Sequence, residues 1–151
     1  MVSHMRSQSA CMVMPYDLFA LMFLHEAVCT ELRMPTGNYR HMATSFHYYL
    51  DEEEVVNSVV NERVVTIQEA ERSLTPPRMD EQSSPFADIK EVLRIADSIR
   101  FDGMLPEEID STPLSEYWKD ILFLLGLQTW GSNEFALSRI PKYYKRALQI
   151  A

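Results

Sequence analysis

Arg6-Ser7-Gln8-Ser9-Ala10-Cys11-Met12-Val13-Met14-Pro15-Tyr16-Asp17 reads as an extended segment that turns into a helix. A second run, Tyr39 to Tyr49, completes the pair of stretches around which the chain is organised. Alternate side chains of a strand point to opposite faces. One face of the second run therefore carries Tyr39, His41, Ala43, Ser45, His47 and Tyr49, and the other carries Arg40, Met42, Thr44, Phe46, Tyr48 and Leu50. A face that repeats hydroxyl, imidazole and phenol is unusual for a pure core. It needs polar partners or a ligand.

Outward from these runs, residues 2–14 read as a strand, apolar at Val2 and Cys11 to Met14, with Arg6-Ser7-Gln8-Ser9 polar in its middle. Polar residues inside an extended apolar frame mark a site or an edge strand. Pro15 suits the first turn of a helix, where a missing N–H costs nothing. The helix is expected from about Asp17 to Arg33, apolar on every side over Leu18 to Leu24, as for a helix buried against a sheet. Pro35 and Gly37 stop it. After a strand over 39–50, Asp51-Glu52-Glu53-Glu54 places carboxylates in a helical first turn, at the positive end of the dipole. Val55, Val56, Val59, Val60, Arg63 and Val64 recur every 3 to 4 residues, so the period says helix although valine leans towards strand.

Residues 73–85 hold three prolines and three serines and read as a surface loop. The remainder is helical in pattern. Phe86, Ile89, Val92, Leu93, Ala96 and Ile99 form one apolar stripe, and Leu114, Tyr117, Trp118, Ile121, Leu122 and Leu125 the next. A loop through Asp102-Gly103 and Asp110-Ser111-Thr112 separates them, Gly131-Ser132 breaks the second, and a last helix or pair, interrupted at Pro141, carries Tyr143, Tyr144, Ala147 and Leu148. These helices are expected to cover a sheet whose further strands have no visible pattern.

The 151 residues bound one domain. Its parts are a core over 1–72, the loop over 73–85 and a helical extension over 86–151. A net charge of −8 argues against a nucleic-acid partner, since a phosphate-backbone binder carries a basic footprint. The longest apolar run, Leu18 to Leu24, is 7 residues, against the roughly 20 that span a bilayer. No membrane partner is expected, and the setting expected is cytoplasmic. Cys11 and Cys29 have neither metal spacing nor the density of a disulfide scaffold. His4 and His25 show no metal pattern, and no metal site is expected.

Read together, the two runs resemble the second half of the thymidylate synthase and deoxycytidylate hydroxymethylase family. There an arginine-serine pair on a strand is followed by a proline-aromatic-Asn/Asp start to a hydrophobic helix, and then by a glycine-led strand carrying His-x-Tyr. The matching residues are Arg6-Ser7, Pro15-Tyr16-Asp17, Gly37 and His47-Tyr48-Tyr49. Order and spacing over residues 5–50 carry the resemblance, and residues 51–151 show no matching motif. It implies an α+β, partial thymidylate synthase-like fold, a few strands covered by helices, with a helix-rich C-terminal part. It implies a pyrimidine nucleoside monophosphate as ligand, and a homo-oligomer or a partner chain supplying the missing half. The family reaction is one-carbon transfer to C5, by methylation of deoxyuridylate or hydroxymethylation of cytidylates, with methylenetetrahydrofolate as cofactor.

By that resemblance Arg6 and Ser7 hold the 5′-phosphate, a planar fork and a hydroxyl donor suited to its oxygens. On the residues alone, Arg6 reads as a strand-edge arginine in a surface salt bridge. His47 and Tyr49 meet the sugar 3′-hydroxyl, each able to donate or accept, where the plain reading is an aromatic pair in a half-buried strand. His41 shares their face and reads as a hydrogen-bonded core histidine. Asp17 faces the base. Family members acting on deoxyuridylate carry asparagine there, and those acting on cytidylate carry aspartate. A carboxylate accepts from the cytosine amino group and repels uracil O4; the plain reading is that Asp17 caps its helix.

The family's nucleophilic cysteine lies upstream of the arginine-serine pair, and no cysteine precedes Arg6 here. Cys11 follows that pair in an apolar strand end, so no residue is assigned a catalytic role. Ser9 stands where the family has aspartate and Val13 where it has glycine, both on the folate side, so no cofactor is expected on this chain alone. The expected function is a pyrimidine-monophosphate binder inactive by itself. A truncated homologue serving only as a nucleotide-binding or protein-interaction module is the alternative, and a mainly helical interaction domain is a third.

Overall fold

The structure, a computed structural model, describes residues 1–62 and 77–147, with the backbone alone at 146 and 147. Parts of three expectations fall outside those residues: the valine helix at Arg63 and Val64, the loop over 73–76, and Leu148. The chain divides into two compact units, residues 1–69 and 70–151.

The first unit runs β1 (Val2–Ser9), α1 (Met14–Glu31), β2 (Arg40–His47), a 3₁₀ turn at Leu50–Glu52 and α2 (Glu53–Asn61). The strands pair in parallel, Val2 with Arg40, Ser3 with His41, Ser7 with Ser45 and Ser9 with His47. Parallel strands need a crossover rather than a hairpin, and α1 supplies it. β1 ends short of the expected Met14. The chain turns at Ala10, whose N–H donates to the His47 carbonyl at 2.8 Å, and the Ser9 hydroxyl accepts from the Met12 N–H at 3.2 Å. Pro15 then falls in the first helical turn, as its missing donor requires.

Helix α1 stops before Pro35 rather than at it. Arg33 takes the left-handed conformation at φ 54°, its N–H donates to the Thr30 carbonyl, and the Met34 N–H donates to Cys29 at 2.8 Å. That is a Schellman ending with arginine where glycine is usual. The expected burial of Leu18 to Leu24 is corrected. None of these residues is buried; only His25 and Ala27 of the helix are, while Phe19 and Met22 face outward. Two strands are too narrow to cover a helix that is apolar all round. The even positions of β2 are all exposed, Met42 and Phe46 among them, whereas Tyr39, His41, Ala43 and His47 are half-buried; Ser45 and Tyr49 of the same face are exposed and the strand ends at His47 rather than at 50, so the expected alternation is present in part. In α2 the valines keep helical spacing, yet Val55, Val59 and Val60 are exposed.

The second unit is built from α3 (Pro85–Phe101), α4 (Pro106–Ile109), α5 (Glu116–Trp130), α6 (Glu134–Arg139) and α7 (Lys142–Ala147). The expectation of helices closing over further strands is corrected. No strand occurs among the described residues of this unit, and α3, α4 and α6 pack on α5. Their core is Val92, Ile95, Ala96, Ile99, Ile109, Leu114, Trp118, Leu122, Phe123 and Ala136. The α3 stripe is rotated from the expected one, burying Ile95 and exposing Leu93 and Phe86. Breaks fall where glycine and proline set them. Gly131, at φ 58°, follows α5, and Pro141 separates α6 from α7. Asn133 caps α6, accepting from the Ala136 N–H at 3.0 Å.

Candidate functional site

Because β1 and β2 are parallel, their carboxyl ends and the start of α1 lie at one end of the first unit. In open parallel sheets the crevice outside those ends is where ligands bind. All five expected site residues lie on this β1–α1–β2 frame. Arg6 and Ser7 are exposed on β1, Asp17 is half-buried in the first turn of α1, His47 is half-buried at the end of β2, and Tyr49 is exposed just beyond it.

The Arg6 guanidinium makes no hydrogen bond or ion pair among the described residues. His47 and Tyr49 meet edge to face, ring centroids 5.3 Å apart. The Tyr49 backbone N–H donates to Glu52 Oε2 at 2.8 Å, and Glu52, buried, has Oε1 without a hydrogen-bond partner among the described residues. Ser9 stands opposite His47 in the register, and Ser7 is one strand position pair earlier, opposite Ser45. No hydrogen bond joins the Arg6 or Ser7 side chains to Asp17, His47 or Tyr49.

Asp17 is not the cap of its helix. Val13 holds that position without a side-chain bond, and Asp17 Oδ2 instead accepts from Gln8 Nε2 at 2.8 Å. A carboxylate in the first turn still gains from the helix dipole. Gln8 is fully buried, and its Oε1 meets His41 Nε2. On the far side of that ring, Nδ1 lies 2.8 Å from both Ser3 Oγ and Tyr39 Oη, which are 2.7 Å from each other. A chain of side chains thus runs from Tyr39 and Ser3 through His41 and Gln8 to Asp17. These are the polar partners that the β2 face required.

Gln8 and Ser3 are the residues of this site that sequence reasoning did not single out, whereas Tyr39 stood on the face expected to need polar partners. Gln8 lay in view inside the polar run Arg6–Ser9, but the pattern gave no reason to separate it from its neighbours. Cys11 and Cys29 are free and half-buried. Among the described residues no group of three or more His, Cys, Asp or Glu is arranged to hold a metal ion, and no helix is long and apolar enough to cross a membrane.

Compared with protein-family models and with curated proteins, the chain matches none.

Proposed function

We propose that the first unit is a thymidylate synthase-like module that binds a pyrimidine nucleoside monophosphate, in the cytoplasm, without turning it over by itself. The observation that carries this reading is the use of Asp17. The fold does not consume it as a cap; it holds one carboxylate oxygen with a buried glutamine, and Oδ1 takes no hydrogen bond among the described residues. An acceptor fixed in this way at the carboxyl end of a parallel pair suits a donor on a ligand, such as an exocyclic amino group. Arg6, exposed on the same strand as Gln8 and without a hydrogen bond or ion pair among the described residues, supplies a fork for phosphate. His47 and Tyr49 offer groups for a sugar hydroxyl.

One-carbon transfer to C5 would require a thiolate nucleophile and the folate cofactor from outside these residues. The exposed apolar residues of α1, β2 and α2 support a homo-oligomer or a partner chain as cover for this unit. Titration calorimetry with cytidine monophosphate, and with cytidine as its phosphate-free counterpart, tests the reading. The monophosphate binds and the nucleoside binds far more weakly in the wild type, and Arg6→Ala removes that difference. An equal affinity for both ligands in the wild type would contradict it.

A further inference from the structure

We propose that Gln8 orients the side chain at position 17, and with it decides the base preference whenever that residue is an amide, because the hydrogen-bonded chain behind it has only one polarity compatible with Asp17. The inference rests on the nucleotide-binding reading above. An ionised carboxylate accepts and never donates, so the group of Gln8 facing Asp17 Oδ2 is its NH₂. Gln8 Oε1 therefore faces His41, and His41 Nε2 must carry a hydrogen to donate to it. In a neutral imidazole Nδ1 is then the acceptor. It takes the hydroxyl hydrogen of Ser3 or Tyr39, and the remaining hydroxyl donates to the first. In that direction each of these contacts pairs one donor with one acceptor.

The consequence appears when Asp17 is replaced by asparagine. A carboxylate has two equivalent acceptors, so Gln8 does not change what Asp17 shows a base. An asparagine has one acceptor and one donor group. Gln8 Nε2 would bind its Oδ1 and turn its NH₂ outward, towards an acceptor such as uracil O4. With Gln8 removed, the same asparagine rotates freely and serves either base. Gln8 is thus a positioning residue whose effect depends on the residue at position 17.

The test has two arms. In the ligand-free wild-type chain, ¹⁵N NMR of the histidine rings should find His41 with its hydrogen on Nε2, bonded to Gln8. A hydrogen on Nδ1 alone would overturn the proposal, whether or not any nucleotide binds. In the second arm, cytidine and uridine monophosphate are titrated into wild type, Gln8→Leu, Asp17→Asn and the double variant. Gln8→Leu should leave the cytidine preference of wild type in place, while Asp17→Asn should prefer uridine by about tenfold and the double variant should lose that preference. A Gln8→Leu effect on the ratio of equal size in both backgrounds would mean that Gln8 acts only through folding, and would also overturn it. Absence of binding to the wild type would sink the nucleotide reading, leaving the first arm to judge the polarity of the chain.

Discussion

Trp130 lies across Gly126, one turn earlier on α5, and donates its indole N–H to the Met104 carbonyl at 3.0 Å. A methyl group at position 126 would overlap the Trp130 ring. Alanine gains about 1 kcal/mol of helix propensity over glycine. Overpacking costs roughly 1–3 kcal/mol, and loss of the indole bond adds about 1 kcal/mol. Gly126→Ala should therefore lower the stability of the second unit by about 1–3 kcal/mol net, seen as a lower Tm. A raised Tm would show that Trp130 can leave its place freely.

Asp120 gives the same unit a pH dependence. Burial on α5, with Glu116 one turn away, raises its carboxyl from the ordinary 3.8 to about 6, against a smaller lowering by Arg139. A folded-state pKa raised in this way contributes stability below about pH 4 that is lost as pH rises through about 6. Asp120→Asn should then stabilise the chain at pH 7, by on the order of 1 kcal/mol once solvent screening of this half-exposed site is discounted. The two melting curves should converge towards pH 4. A difference that persisted unchanged at pH 4 would contradict the assignment.

The first unit should self-associate or take up a partner. Among the described residues the sheet is two parallel strands, whose outer edges are templates for further pairing, and parallel sheets are ordinarily covered on both faces. Met42 and Phe46 are 50% and 59% exposed on one of those faces. Light scattering should show a mass above the monomer that falls on Met42→Lys/Phe46→Lys substitution. A clean monomer at high concentration would count against it.

The chain alone should release no tritium from C5-labelled deoxyuridylate or deoxycytidylate. Covalent attack at C6 needs an activated thiolate, and Cys11 and Cys29 are the only thiols in the sequence. Release above background, abolished by Cys11→Ser or Cys29→Ser, would mean that one of them is positioned for attack.

How far the fold was legible follows from which rules act locally. The 2-residue period of Tyr39–Tyr49 gave β2 and its half-buried face, and Gly131 and Pro141 gave their breaks, because strand alternation and backbone restriction need no tertiary information. The start of α1 shifted because Pro15 belongs inside the first turn. The exposure of Leu18–Leu24 was not legible: an all-round apolar helix says nothing of how much sheet there is to cover it. The α3 stripe held at Val92, Ala96 and Ile99 but was misread at Leu93 and Ile95, which are equally apolar, and packing on α5 chose between them. At the site, residue types pointed to Asp17, while its hold on Gln8 depends on the turn at Ala10 bringing β1 and α1 together, which no spacing rule specifies.

This frame is proposed to read a pyrimidine monophosphate through Asp17. Calorimetric titration of wild type and Asp17→Asn with cytidine and uridine monophosphates tests it most directly. A mismatched, desolvated polar pair costs about 1–3 kcal/mol, or roughly ten- to a hundredfold in affinity. Wild type should prefer cytidine by that factor, and Asp17→Asn should move the preference to uridine. Equal affinities for both nucleotides in both proteins, or no binding to either, would contradict the account.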